Sequence, residues 1–509
     1  MFVRIAAALV AGVLLTLAFE PVGASYLIPL AVTAYVLCLR GLPARRAWLP
    51  GLAFGVAFSY VLMFWMRAVG SDAWVALSGL EAVFYGLLGL AVPVLMRYRA
   101  WPVLVAVAWV AMEAVRSNWP FGGMPWGRLS YATAGTPWEK ALPYVGSSGL
   151  SLLLALLGTT LAWLIVTPRH ARLVPAGSVA AVLAASVLPA LAPYSPAISA
   201  DRTVAVVQGD VPGDGSDILY DHRQVTQNHV DATLRLADEV SAGDAPQPDF
   251  VLWPENSTAV DPFADSGIRA DIDQTAAEIG VPILVGAMVD SGAEHVLNQG
   301  IVWDPATGGG DRYTKRHPVP FGEYIPWRSV FRSNFGKLAL IPRDMLSGTR
   351  TDPLEVAGIP VADAICFDVA YDDGIHQQVG NGAQLLVVQT SNATFIHTSQ
   401  IDQQFEITRL RALETGRYVL VAATNGVSGV IAPDGTVLDQ ADPRTQEVIV
   451  EQVGLSTSLT PAVRIGPWLD RACMAVTLLA LALGVLPYRR QQRTRGTTDE
   501  QPLMMSSHS

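Results

Sequence analysis

Apolar residues are unevenly spread along this chain. Seven long apolar runs crowd into residues 1–193, at about 3–19, 22–39, 48–66, 73–96, 101–115, 148–166 and 173–193, and an eighth covers about 467–487. Most approach the roughly 20 residues that carry a helix across a bilayer with its backbone groups satisfied internally. The fifth run is short by itself and is expected to extend into Trp119-Pro120-Phe121. The first has Arg4 and an apolar core, but Glu20-Pro21 follows in place of a small-residue cleavage site, so it reads as a span and not as a leader. The pattern predicts a multi-pass α-helical membrane bundle of about eight spans.

Between the seventh and eighth runs the pattern changes. Residues 200–455 are polar and rich in Asp, Gly and Pro, and they are numerous enough to bury a core of their own. Short β-branched runs recur at 203–208, 250–253, 281–286, 300–303, 361–366, 385–389, 419–424 and 428–432, with helical patterns at 221–240, 264–279 and 400–416. This alternation predicts a mixed α/β domain. Pro433-Asp434-Gly435 reads as a hairpin turn. The expected organisation is a bundle over 1–193, an α/β domain over 200–455, an eighth transmembrane helix over 466–487 and a disordered cytoplasmic tail over 488–509. No internal repeat is visible.

Composition and charge sharpen this reading. The chain of 509 residues is 51% hydrophobic and 15% charged, with a mean hydropathy of +0.34, which points to membrane spans. The net charge of −10 offers no basic footprint for nucleic acid. Arg4, Arg40, Arg45, Arg46, Arg97, Arg99, Arg169, Arg172 and the tail arginines Arg489, Arg490, Arg493 and Arg495 fall on one side of the spans. The other side carries Arg67, Arg116, Arg128 and Lys140 together with Glu20, Asp72 and Glu139. The positive-inside rule then puts both termini in the cytoplasm and residues 194–466 outside it, and the alternation holds at every loop. The three cysteines, Cys38, Cys366 and Cys473, suggest no disulfide framework.

Three strand ends carry reactive side chains. Val-Leu-Trp-Pro-Glu puts Glu255 just past a strand, Lys315 is followed eight residues on by Glu323, and Ala-Ile-Cys-Phe-Asp offers Cys366 and Asp368. Strand ends can bring a carboxylate, an amine and a thiol to one sheet edge. There the thiol is a nucleophile that attacks as thiolate, and the carboxylate is a general base once burial raises its pKa. The ammonium and the backbone N–H of Phe367 would stabilise an oxyanion. The lysines are only Lys140, Lys315 and Lys337 in a chain that uses arginine almost everywhere, and lysine is the compact cation whose pKa can be tuned. Taken singly, each residue has a blander reading. A cysteine at a strand end is more often a small buried hydrophobe, Glu255 could be a solvated turn residue, and Lys315 could be a surface charge beside Arg316. The ordered set Glu, Lys, Cys in this local context is far more specific.

These residues resemble the nitrilase (carbon–nitrogen hydrolase) superfamily, with its Glu-Lys-Cys triad on an α-β-β-α sandwich. The whole arrangement resembles the apolipoprotein N-acyltransferase family, a membrane branch with seven spans, an extracytoplasmic nitrilase-like domain and a last span. The resemblance is carried by Val-Gln-Gly-Asp-Val-Pro (207–212), Leu-Trp-Pro-Glu (252–255), residues 315–326 around Pro-Phe-Gly-Glu, Ile-Cys-Phe-Asp (365–368), residues 411–417, residues 425–435, and Trp-Pro-Phe-Gly-Gly-Met-Pro-Trp (119–126). It implies Glu255 as general base, Lys315 as oxyanion and thiolate stabiliser, Cys366 as nucleophile and Glu323 as a residue that orients the lysine. Arg411, Glu414 and Arg417 fall at i, i+3 and i+6 of one helix, where Glu414 can pair with either arginine in a structural role. The chain departs from the family at Asp368, where a glutamate is usual, and at Ser391-Asn392-Ala393-Thr394-Phe395, which lacks the usual acid and tryptophan. The region after Val211-Pro212 lacks the Lys-Trp pair that the resemblance implies, with Tyr220 as a candidate stand-in.

The reaction implied is a two-step acyl transfer. A membrane glycerophospholipid donates a fatty acyl chain to Cys366, and the α-amino group of the S-diacylglyceryl N-terminal cysteine of an apolipoprotein takes it. The acyl donor and the diacylated lipoprotein acceptors would be the partners of a monomeric integral membrane protein, with no nucleic acid and no cofactor. No metal is called for either, since the histidines lack ligand spacing. Glu81 and Glu113 lie in or near spans, where ionisable groups are costly, and Glu81 is expected to pair with an arginine such as Arg67 or face the bundle interior sooner than to bind substrate directly. Trp119, Trp126 and Trp138 suit the water–lipid interface. Two rivals stand beside this reading. One is a membrane-tethered amidase or nitrilase with the same triad. The other is a transporter with an accessory domain, against which the apolar spans and the absence of inverted repeats argue.

Overall fold

The computed structural model describes residues 1–217, 221–328 and 341–496, from 486 onward by backbone alone. Seven α-helices open the chain: α1 (Phe2–Thr16), α2 (Ile28–Leu39), α3 (Ala44–Leu62), α4 (Ser71–Leu95), α5 (Trp101–Arg116), α6 (Leu142–Val166) and α7 (Leu173–Val187). Small residues let them approach closely, as in membrane helix packing. A Cβ on Gly12 of α1 would stand 2.3 Å from the Phe54 carbonyl of α3, and one on Gly55 of α3 would stand 2.6 Å from the Ala82 carbonyl of α4. Among the described residues, four helical segments are long and apolar enough to cross a membrane: Ser71–Leu95, Pro137–Val166, Leu173–Leu191 and Trp468–Val485. Phe2–Thr16 and Ser25–Leu39 are apolar but shorter.

The α/β domain follows as β1 (Ile198–Gln208), α8 (His222–Ala242), β2 (Phe250–Leu252), α9 (Ser266–Ile279), β3 (Ile283–Ser291), β4 (His295–Asp304), β5 (Gly308–Thr314), β6 (Asp344–Met345), β7 (Leu354–Val356), β8 (Ile359–Ile365), α10 (Asp372–Gly380), β9 (Leu385–Thr390), α11 (Gln400–Thr415), β10 (Val419–Ala423), β11 (Gly429–Ile431), β12 (Val437–Gln440) and β13 (Glu447–Ser456). The chain then returns through α12 (Pro461–Ile465) to a last helix, α13 (Trp468–Gly496). Among the described residues the strands form two sheets, one ordered β13-β1-β2-β3-β4-β5 with β6 beside β4, the other β12-β11-β10-β9-β8-β7. Strand alternation explains how they stack. Val204, Val206, Phe250, Leu252 and Leu284 of the first sheet meet Val361, Ile365, Leu385, Val387 and Leu420 of the second. The intervening residues Ala205, Val207, Val251 and Ile283 face α8 and α9. Ala362, Ala364, Leu386 and Val388 face the α10–α11 side in a cluster continuous with the helix bundle. The result is an α-β-β-α sandwich whose second helical layer rests on the bundle. Pro433-Asp434-Gly435 makes the β11–β12 turn, with Gly435 at φ 85°.

Several expectations change on contact with the structure. The fifth run does not extend into Trp119-Pro120-Phe121. Helix α5 stops at Arg116, because the Arg116 guanidinium donates to the Met124 and Trp126 carbonyls (3.0 and 2.6 Å) and folds the loop back. The sixth helix starts at Leu142, with a break at Gly146, well before the apolar run itself. Glu81 pairs with Arg116 at 3.0 Å. Arg67 lies instead over the Phe64 and Trp74 rings. Trp119 is exposed, but Trp126 and Trp138 are buried, Trp126 against Phe367 and Trp138 against Tyr26. Helix α13 runs on to Gly496, past the expected end of order at 488, since Tyr488 to Arg495 contain neither Gly nor Pro to stop it. The rest of the tail, Tyr220 and Lys337 lie outside the described residues.

A buried charge network joins the two halves of the chain. Arg411 on α11 pairs with Glu414 and with Asp372, and its Nε donates to the Val369 carbonyl at 2.8 Å. Asp372 also pairs with Arg128 of the bundle at 2.6 Å. Glu414 accepts from the Ser147 N–H at 2.7 Å, and burial, which would raise its pKa, is outweighed by Arg411 and His376, which hold it down at about 2. Of the two arginines open to Glu414, only Arg411 takes it. Arg417 bonds the Ala383 and Ser458 carbonyls.

Removing one partner from a buried network leaves an unpaired charge. Arg411→Met is therefore expected to destabilise the protein by about 3–5 kcal/mol, read as a lowered thermal midpoint in detergent. Arg202→Ala, at the exposed Arg202–Asp249 pair, is expected to change stability by less than about 1 kcal/mol. Equal effects at the two sites would contradict the network's role.

Candidate active site

Four strand ends bring the site together. Glu255 follows β2 through Trp253-Pro254, in a turn that passes so close to β3 that a Cβ on Gly286 would stand 2.1 Å from the Pro254 carbonyl oxygen. Lys315 follows β5, and its N–H donates to the Asn298 carbonyl of β4 at 2.8 Å. Cys366 follows β8 directly, with φ 53°, a left-handed conformation costly to a side-chain-bearing residue. The chain turns there from strand into a short 3-10 helix, Cys366–Ala370, whose opening N–H groups, that of Phe367 among them, lack acceptors within the turn. After β9, the Ser391 N–H donates to Glu255 Oε2 at 2.9 Å.

The lysine is the centre. Its side chain is fully buried, with Nζ 3.2 Å from Glu255 Oε1 and 2.6 Å from Glu323 Oε1. Glu255 Oε1 also accepts from Asn298 Nδ2 at 2.7 Å, and Glu323 Oε2 accepts from the Val319 N–H at 2.8 Å. Burial alone would lower the lysine's pKa, but the charges of Glu255 and Glu323 outweigh it and hold the ammonium well above the usual range. Burial raises Glu323, against Lys315, which lowers it. Burial also raises the Cys366 thiol far above its ordinary value, the Glu255 charge adds to that, and Lys315 and a hydrogen bond with Thr390 oppose. Burial thus favours the protonated form of the sulfur, which lies beside the Glu255 and Lys315 side chains.

Asp368, the departure from the usual glutamate, holds the lysine loop to the cysteine loop. It accepts from the His317 N–H at 2.7 Å, the Arg316 N–H at 3.1 Å and the Tyr313 hydroxyl at 3.0 Å. The bundle grips the same loop. Trp126 stacks on Phe367 with centroids 6.0 Å apart. The Tyr131 hydroxyl donates to the Ala370 carbonyl at 2.6 Å, and the Tyr371 hydroxyl to the Gly123 carbonyl at 2.9 Å. Trp126 is held in turn by Gln403, whose Oε1 accepts from Trp126 and Trp65.

Glu255, Lys315, Glu323, Cys366, Phe367 and Asp368 thus all gather at one place. Asn298, Thr390 and the Ser391 N–H were not singled out in the sequence. Asn298 could have been noticed as a polar residue inside a strand, but the other two contribute through fold alone. Glu81 and Glu113 sit apart, anchoring the loop before α6. Glu113 Oε1 accepts from the Leu129 N–H at 3.0 Å, and Glu81 holds Arg116.

A two-sheet sandwich that presents glutamate, lysine and cysteine from its strand ends defines a domain of the carbon–nitrogen hydrolase class, and the carbon–nitrogen hydrolase family matches residues 203–458. The apolipoprotein N-acyltransferase N-terminal domain family matches residues 11–160. The chain is 36% identical to an apolipoprotein N-acyltransferase of Mycolicibacterium smegmatis over 95% of this chain and 85% of that one. It is 30% identical to that of Methylococcus capsulatus over 95% and 96%. Among solved structures, an amidase mutant from Nesterenkonia sp. AN1 covers 53% of this chain and 96% of its own, at 16% identity and a TM-score of 0.37. The chain belongs to the apolipoprotein N-acyltransferase family.

Because the thiol's pKa is raised, the thiolate fraction is small near neutrality and grows as pH rises. Alkylation of Cys366 by iodoacetamide, followed on its own peptide, is expected to be slow at neutral pH and to climb about tenfold per pH unit on the alkaline side. A fast, pH-independent reaction would contradict a protonated resting thiol.

Proposed function

We propose that this protein transfers a fatty acyl chain from a membrane glycerophospholipid, through a thioester on Cys366, to the α-amino group of the S-diacylglyceryl cysteine that begins an apolipoprotein. The observation that carries the reading is Lys315, buried between Glu255 and Glu323 beside a cysteine in a strained turn, in a chain of this family.

In the first half-reaction Sγ attacks the ester carbonyl carbon as Glu255 takes the thiol proton. The oxyanion forms against the Lys315 ammonium and the Phe367 N–H. Collapse breaks the ester C–O bond, and Glu255 returns the proton to the departing lysophospholipid oxygen. In the second, the amine attacks the thioester carbonyl, Glu255 takes a proton from the nitrogen, and Cys366 leaves and is reprotonated. Covalent catalysis divides one hard step into two. Asn298 and the Ser391 N–H aim Glu255, and Glu323 keeps the ammonium in place.

Sidedness follows from the arginine bias of the loops. The α/β domain lies outside the cytoplasm, both termini lie inside, and the site opens at the outer leaflet, where both substrates are anchored. The seven-plus-one helices are read as spans, and the protein as an integral membrane monomer.

The test is peptide mass spectrometry after incubation with phospholipid and no acceptor. A hydroxylamine-labile acyl adduct on the Cys366 peptide is expected. It should be absent in Cys366→Ala, slowed at least about a hundredfold in Glu255→Gln, and discharged by a diacylated lipopeptide. Discharge by water alone would favour an amidase-like hydrolase, and no adduct at all would remove Cys366 as nucleophile.

A further inference from the structure

A polar stripe runs through the sandwich interior beneath the site. Asp363 of β8 and Gln389 of β9 occupy strand faces that otherwise carry Val361, Ile365, Leu385 and Val387 of the inter-sheet core, and both are fully buried. Gly300 of β4 faces them from the other sheet. A Cβ there would stand 2.1 Å from Asp363 Oδ2 and 2.5 Å from Gln389 Oε1, so both oxygens border the space the glycine leaves open. Neither of them, nor Asp363 Oδ1, has a donor in hydrogen-bonding geometry, although the Ala364 N–H is near enough to Asp363 to lower its pKa somewhat.

Acceptor oxygens facing one another with no donor between them are not a stable arrangement. An ionised carboxylate there would be buried unpaired, against the negative end of an amide dipole. Turning the Gln389 amide over would not relieve it. Its Nε2 already donates to the Trp253 carbonyl at 2.6 Å and reaches the Leu284 carbonyl at 3.4 Å, and a turned amide would set its oxygen against both. One proton on Asp363 resolves the arrangement.

We propose that Asp363 is a positioning residue for Glu255, a neutral acid whose O–H is donated to Gln389 Oε1 across Gly300. The bond fixes the orientation of the Gln389 amide, which then holds the Trp253 carbonyl two residues before Glu255. The surroundings agree. Burial first, and then the charge of Asp368, raise Asp363 well above the carboxylate range, while the Ala364 N–H and Arg350 oppose. The other groups facing it are Tyr313 of β5, whose hydroxyl is committed to Asp368, and Arg316 and His317 across a small cleft. Glu255's role rests on the acyl-transfer reading; the proton on Asp363 does not.

The first experiment needs no substrate. Infrared difference spectra of the full-length detergent-purified protein, wild type minus Asp363→Asn at neutral pH, are expected to contain the carbonyl stretch of an un-ionised carboxylic acid. A carboxylate signal in its place would overturn the proposal, whatever becomes of the acyl-transfer reading. The second follows acylation of Cys366 by phospholipid. Asp363→Leu leaves Gln389 without a donor and is expected to lower the acylation rate about tenfold or more at unchanged KM. Asp363→Asn, whose amide N–H takes over the bond, is expected to recover most of that loss. Equal losses in both variants, or none in Asp363→Leu, would remove the positioning role. Should Asp363→Leu fail to fold, the infrared signal together with the Asp363→Asn rate decides.

Discussion

A single buried ammonium sets the terms for the rest of the site. Taking the Lys315 charge out of water costs several kcal/mol unless opposite charge meets it at hydrogen-bond distance, and Glu255 and Glu323 both do so. That requirement ties β2, β5 and the loop carrying Glu323 to one point. It also gives Glu255 a fixed neighbour on one side, while Asn298 and the Ser391 N–H fix it on the others. The thiol enters last, just past the end of a strand, on a residue forced to positive φ. Burial keeps its proton on, so the carboxylate already aimed by the lysine is the group placed to remove it.

The second constraint is that the catalytic loop does not belong to the α/β domain alone. Residues 366–371 are held on one side by Asp368, which bridges to the lysine loop, and on the other by Trp126, Tyr131 and the Gly123 carbonyl of the bundle. The bundle loop is itself anchored by the Glu81–Arg116 pair and by Glu113. Polar residues inside an apolar bundle thus serve the site from a distance by fixing the backbone that touches it. Here the outer face of the second sheet and the helix bundle share one continuous apolar core.

Much of this was legible beforehand where the signal was local. Apolar runs marked the helices, and β-branched runs marked the inner strands. Glu255, Lys315 and Cys366 stood out because each sits just past a strand with chemistry unusual for its surroundings, and Glu323 and Asp368 because they follow Lys315 and Cys366 closely in sequence. What was missed depended on distant partners. Trp126 reads as an interfacial aromatic until Phe367 is set against it. Arg67 reads as a partner for Glu81 until the packed helices set Arg116 against it instead. Asp363 reads as an ordinary strand residue until Gly300 and Gln389 are brought to it from two other strands.

The sequence by itself determined the chemical types and their order, together with the division into an apolar helical half and an α/β half. Periodicity and residue identity are properties of neighbours along the chain, so they can be read there. Only the tertiary structure decided which charges meet, which backbone N–H groups face them, and which carboxyl is left without a donor. Those depend on how two sheets and a bundle stack, and the energy of a buried charge is set by the few ångströms around it.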